Sequence, residues 1–195
     1  MPDDKTRIFV IRHGETEWSR SGAHTSRTDL PLTGRGRELA RRLGALLAGQ
    51  TFVVVLTSPL RRARETCELA GYGDVAQIEP DLREWDYGDY EGRSTPEIWR
   101  ENPRWRLWRD GAPNGETAER VAERARRVIH RALAAPGDVA LFSHGHILRV
   151  LAAVWTGLTP ADGRLLALDT ASIGVLGYER ETRVISRWNH SVSAT

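Results

Sequence analysis

The chain has 195 residues, with 28 Lys and Arg against 26 Asp and Glu, a formal net charge of +2 and 40% hydrophobic positions. That supports one domain over residues 1–195 with its own sizeable core, while the single cysteine, Cys67, excludes an internal disulfide framework or a Cys-rich metal site and fits a reducing compartment. No apolar run approaches the ~20 residues of a membrane span, and Met1 to Arg7 lacks the apolar stretch of a secretory signal, so the expected location is the cytoplasm with no membrane partner.

In chain order, Arg7 to Ile11 is a short apolar run suited to a strand buried on both faces, and it stops at Arg12-His13-Gly14. Thr33 then opens a helical stripe of Leu39, Leu43, Leu46 and Leu47 that Gly49 closes. Phe52 to Leu56 reads as a second strand. Ser58 followed by Pro59 has the pattern of an N-cap and first helical residue. Glu116 to Leu133 keeps helical apolar spacing. Asp138 to Phe142 is a third strand, ending at Ser143-His144-Gly145, and Ile147 to Trp155 is the helix after it. Ser172 to Tyr178 and Arg183 to Trp188 form a closing pair of strands. Apolar strands alternating with amphipathic helices predict an α/β fold, a three-layer sandwich with a central, mostly parallel sheet and helices on both faces.

Ligand crevices in such sheets lie beyond the carboxyl ends of the strands, where this sequence puts two His-Gly pairs, His13-Gly14 and His144-Gly145. Lys5 is the single lysine, so nearly all cations are arginine, whose planar fork suits phosphate. Arg61 and Arg62 fall in the first turn of a helix, where the dipole disfavours a cation unless an anion binds there too. Arg61 also has a bland alternative, an ion pair with Glu65. With Arg12 beside His13, the set Arg12, His13, Arg62 and His144 would make a pocket for a dianionic phosphate: a neutral imidazole attacks phosphorus and the guanidinium groups balance the charge. Glu84, in Leu82-Arg83-Glu84-Trp85, is a carboxyl beside a large apolar ring and a candidate proton donor to the leaving group.

These residues carry a family resemblance. Arg12-His13-Gly14-Glu15-Thr16, Ser58 to Thr66, Leu82-Arg83-Glu84 and Ser143-His144-Gly145, in that order, resemble the histidine phosphatase superfamily, also called phosphoglycerate mutase-like. The resemblance implies that His13 is the phosphorylated nucleophile, that Arg12, Arg62 and His144 bind the phosphate, that Glu84 donates the proton, and that no metal or organic cofactor takes part. It also implies that Thr25 and Ser26 line the substrate entrance, and that Ser19 stands where many members have a phosphate-contacting asparagine. Trp18-Ser19, His24-Thr25 and Thr28 to Thr33 look most like sugar-phosphate phosphatases, which makes the expected partner a small phosphorylated metabolite. Mutases of the family carry a longer segment between the acid and the second histidine and a longer closing tail. Residues 85–143, 59 in all, separate Glu84 from His144 here, which favours hydrolysis over transfer.

Other readings are a mutase-type phosphoryl transfer, a catalytically dead phosphate sensor, and a metal hydrolase built on His144-Gly145-His146, in which His146 should point away from His144 if the chain is extended. A nucleic-acid binder is suggested by Trp99, Arg100, Arg104, Trp105, Arg106, Trp108 and Arg109, but the blander account is a cover over the core with solvated arginines, and no nucleic-acid partner is expected. Asn189-His190-Ser191 fits a glycosylation sequon by coincidence. Assembly into a homo-oligomer is left open by the sequence.

Overall fold

The computed structural model describes residues 5–191, so the start of the polar Met1 to Arg7 stretch lies outside the described residues. Six strands form one sheet: β1 (Ile8–Arg12), β2 (Val54–Thr57), β3 (Ala76–Ile78), β4 (Val139–Ser143), β5 (Ser172–Glu179) and β6 (Thr182–Ser191), in spatial order β3-β2-β4-β1-β5-β6. The first four in that order run parallel, whereas β5 and β6 run antiparallel. The mostly parallel sheet expected from the strand–helix alternation is present, closed at one edge by the hairpin the sequence suggests.

The central strands are apolar up to their last residues, Arg12, Thr57 and Ser143, because both faces are covered. Ile8 and Val10 of β1, Val139 and Leu141 of β4 and Leu56 of β2 face one layer, packed with α6 (Ala118–Leu133) and α7 (Gly145–Trp155). Phe9, Ile11, Ala140, Phe142 and Val55 face the other, with Leu43 and Leu47 of α2 (Gly34–Leu47) and Cys67 of α3 (Arg61–Leu69). Each pleat alternates between the two cores. Short helices α1 (Glu17–Ser21), α4 (Thr95–Glu101) and α5 (Leu107–Asp110) occupy the long connections near the carboxyl edge of the sheet.

Several boundaries differ from expectation by one to three residues. The larger difference is at Ser58: α3 begins at Arg61 with Leu60 as its N-cap, and Ser58 is wholly buried. Local capping logic loses here because β2 continues into the site and the serine hydroxyl is used by a histidine. The strand β3 has no signature in the sequence because it is a short edge strand with exposed Gln77 and Ile78.

Candidate active site

Strand pairing brings the two histidines together. β1 and β4 are parallel neighbours with Arg12 opposite Ser143, so the residues that follow, His13 and His144, leave the sheet side by side. The His13 amide donates to the Ser143 carbonyl at 2.9 Å, and the two rings lie 5.1 Å apart, edge to face at 61°. Gly14 permits this turn to press on helix α2, for a Cβ there would run into the Gly36 carbonyl.

A hydrogen bond assigns the ring proton of His13. His13 Nδ1 lies 2.7 Å from the Gly14 carbonyl, which can only accept, so the proton is on Nδ1 and the lone pair is on Nε2. His144 Nε2 lies 2.7 Å from Ser58 Oγ. That hydroxyl accepts from the Leu60 amide at 3.3 Å and keeps one proton and one lone pair, so it can serve either tautomer of the His144 ring. Burial, then the Arg62 and Arg12 charges, hold His13 well below the ordinary imidazole range. Burial and then Arg62, His13 and Arg12 do the same to His144. Both rings are neutral at pH 7.

The two pocket arginines are held by backbone carbonyls. Arg12 donates through Nη1 to the Leu168 carbonyl. Arg62, 0% exposed, donates through Nη1 to the Thr28 carbonyl at 3.1 Å and through Nη2 to the carbonyls of Thr25, at 3.1 Å, and Ser26, at 3.4 Å. Among the described residues neither guanidinium forms an ion pair. Among the described residues, three buried side-chain polar atoms have no hydrogen-bond partner: Arg12 Nε, Arg62 Nε and His144 Nδ1. Unpartnered buried polar atoms are rare and costly. All three belong to the residues that the sequence singles out for phosphate. Arg61 follows its bland alternative, exposed and 3.8 Å from Glu65.

Glu84 sits at the N-terminus of α7. Its Oε1 accepts the amides of Trp85 at 2.8 Å and Ile147 at 3.0 Å, and its Oε2 accepts the amide of His146 at 3.0 Å. The carboxyl therefore lies among backbone donors, which its sequence neighbour Trp85 did not suggest. The Ser143 hydroxyl, bonded to the Leu82 carbonyl at 2.6 Å, ties this segment to the end of β4.

A cleft of about 170 Å³ opens onto Arg12, His13 and Glu84 and is also lined by Ser19, Thr25, His24, Tyr87, His146 and Arg149. Larger clefts of about 420 Å³, at Asp29, Arg61 and Glu65, and about 410 Å³, on the Ser26 and Arg124 side of Glu84, contain neither histidine. Ser19 reaches the cleft beside His13, although its hydroxyl caps α1 with Thr16, accepting that residue's amide at 2.8 Å. Thr25 lines the cleft and lends its carbonyl to Arg62. Ser26 does not face it: its hydroxyl donates to Glu91 at 2.6 Å.

His146 corrects an expectation. The chain there is helical, not extended, and the ring lines the same cleft as His13, with Nδ1 2.6 Å from Tyr87 Oη. Burial and then Arg149 hold His146 well below the ordinary imidazole range, while burial, then Glu84, raises the Tyr87 phenol well above its usual value. The Trp/Arg segment follows the bland account: Trp105 is buried with its indole N–H on the Gly111 carbonyl, Trp108 packs edge-on to Trp85, and Arg106 lies over Trp99. Among the described residues no three His, Cys, Asp or Glu side chains are grouped to hold a metal ion, and no helix is long and apolar enough to cross a membrane.

The family model of the histidine phosphatase superfamily (branch 1) matches residues 8–191. An acid phosphatase of Mycobacterium tuberculosis is 40% identical over 184 residues, covering 92% of this chain and 90% of that protein. Sedoheptulose 1,7-bisphosphatase of Saccharomyces cerevisiae is 38% identical over 191 residues, covering 81% and 70%. Among solved structures, that of an open reading frame of Mycobacterium tuberculosis shares a TM-score of 0.91 at 39% identity, over 95% of this chain and 98% of that one. With residues 8–191 matched by the family model and an acid phosphatase 40% identical over nearly the whole chain, the chain belongs to the histidine phosphatase superfamily and is a phosphatase.

Proposed function

We propose that this phosphatase hydrolyses a small phosphorylated metabolite, a sugar phosphate, by passing the phosphoryl group to Nε2 of His13 and then to water. The observation that carries the reading is the set of three buried, unpartnered nitrogens, Arg12 Nε, Arg62 Nε and His144 Nδ1, the last an N–H donor in the tautomer whose Nε2 takes the Ser58 proton, beside an imidazole whose lone pair is on Nε2. A tetrahedral dianion supplies three non-bridging oxygens for those donors and two negative charges for the two guanidinium groups.

In the first step His13 Nε2 forms the bond to phosphorus as the ester oxygen leaves in line. Glu84 gives that oxygen its proton, so the sugar departs as a neutral alcohol and Glu84 becomes a carboxylate. Oε2 accepts one backbone amide against two at Oε1, so Oε2 has the lone pair to carry the transferable proton. In the second step the carboxylate takes a proton from water as the water oxygen attacks the phosphohistidine, which restores neutral His13 and releases phosphate. Burial and the arginine charges keep His13 unprotonated before each turnover.

The sugar-phosphate class is supported by the bisphosphatase relative and by the polar cleft beside His13, lined by Ser19, His24, Tyr87 and Arg149. A screen of phosphorylated metabolites, following phosphate release and isomer formation together, tests substrate and outcome. On the best substrate, 32P-labelled, rapid quenching should trap an acid-labile, base-stable label on the protein. His13→Ala should lose the label and all but a few per cent of the rate. A His13→Ala enzyme that keeps its rate would overturn the nucleophile, and isomer formed faster than phosphate would replace hydrolysis by transfer.

A further inference from the structure

Arg62 has no carboxylate to aim it. Its two Nη atoms are fixed by the carbonyls of Thr25, Ser26 and Thr28, a stretch with no helix or strand of its own, and Nε is left over. The orientation of Nε is therefore only as good as the placement of that loop. The loop is gathered by Glu91, from the other side of the chain crossing: Oε1 accepts the Thr28 amide at 3.0 Å, and Oε2 accepts the Ser26 amide at 2.9 Å and the Ser26 hydroxyl at 2.6 Å. The neighbouring backbone adds two bonds, Gly92 amide to His24 carbonyl at 2.8 Å and His24 amide to Arg93 carbonyl at 3.0 Å.

We propose that Glu91 is a positioning residue for phosphate binding: its carboxylate gathers the Thr25 to Thr28 loop so that the loop's carbonyls hold both Nη atoms of Arg62 and leave Nε to the anion. This rests on the site being a phosphate pocket, the reading given above. An ionised carboxylate is needed because it accepts at both oxygens, whereas an amide in its place has one acceptor and would turn an NH2 group toward an N–H donor. Glu91 itself lines none of the cleft that contains His13, so its effect on the anion must pass through the loop. Its negative charge also helps to keep the buried Arg62 protonated, against the dominant effect of burial and alongside Glu84, Tyr87 and Asp29.

A double-mutant cycle on inorganic phosphate tests this, with dissociation constants read by 31P NMR titration for wild type, Glu91→Gln, Arg62→Ala and the double variant. Arg62→Ala should weaken phosphate at least about 30-fold, as loss of a charged hydrogen bond does. Glu91→Gln should weaken it about 10-fold in the wild-type background and less than about twofold once Arg62 is gone. Equal weakening in both backgrounds, or none in the wild type, would overturn the role, because a general loosening of the fold does not depend on Arg62. If Glu91→Gln does not fold, Ser26→Ala carries the same cycle: about a threefold loss that disappears with Arg62 is expected, and a loss that persists is a refutation. Unchanged phosphate affinity in Arg62→Ala alone would instead strike the phosphate-pocket reading, which keeps the two failures distinct.

Discussion

Replacing Glu84 by Gln separates proton donation from architecture, because the structure predicts a different size for each effect. The carboxylate accepts three backbone amides, those of Trp85, Ile147 and His146. A glutamine can turn its carbonyl oxygen to Trp85 and Ile147, but its NH2 then opposes the His146 amide and leaves that buried donor unpaired. The cost is about 1–3 kcal/mol of stability, a fall of roughly 2–12 °C in melting temperature for a chain of this size. That structural loss bears equally on every substrate. The chemical loss does not: a sugar alkoxide needs the proton, so kcat/KM on a sugar phosphate should fall about 10²- to 10⁴-fold. On p-nitrophenyl phosphate, whose phenolate leaves without help, the fall should be less than about tenfold. Steady-state phosphate release on the two substrates, with thermal melts of both proteins, gives the comparison. Equal losses on the two would refute the acid assignment and leave Glu84 only the task of capping α7.

Arg12→Lys should lower kcat/KM about 100-fold without a change in circular dichroism, since one ammonium cannot both hold the Leu168 carbonyl and replace Nε at the anion; activity within threefold of wild type would argue against the fork. Gly36→Ala should disturb Arg12 to Thr16 and cut activity more than tenfold despite its better helix propensity, because a Cβ would run into the Glu15 carbonyl, whereas Gly34→Ala, at an open position, should be silent. Stability should also fall in acid. Burial lowers His24 from 6.5 to about 4, so below pH 6.5 the unfolded chain takes up a proton that the folded one refuses. The contribution is fully present above pH 6.5 and is lost as pH falls toward 4, reaching roughly 3 kcal/mol for this group. Urea midpoints of wild type and His24→Gln between pH 7 and 4.5 should converge as the pH drops, and a gap that stays constant would count against a neutral buried imidazole.

What the sequence made legible follows from which parts of the site restrict residue type. The proposed nucleophilic attack needs an imidazole, charge neutralisation a guanidinium and proton donation a carboxyl, so His13, Arg12 and Arg62 stand out at the ends of readable elements, whereas Glu84 borders no element readable in the sequence and is picked out by the family resemblance of Leu82-Arg83-Glu84. Strands β1 and β4 were equally readable, being apolar at successive positions and buried on both faces. Ser58 was read as a helix cap because Ser-Pro is a local signal, whereas its bond to His144 depends on β2 lying beside β4. His146 was misdirected by one assumption, an extended chain where α7 has already begun. The groups that aim the arginines were not legible in principle. Leu168, Thr25, Ser26 and Thr28 act there through backbone carbonyls, which every residue carries. Glu91, which gathers three of those carbonyls, lies 29 positions beyond Arg62 in a stretch whose pairing with residues 23–28 is set only when the chain returns over the sheet edge. The proposed reacting groups are therefore written as residue types, and their precision is written as topology. A substitution that leaves all four reacting side chains in place but shifts the 25–28 loop should still lose phosphate.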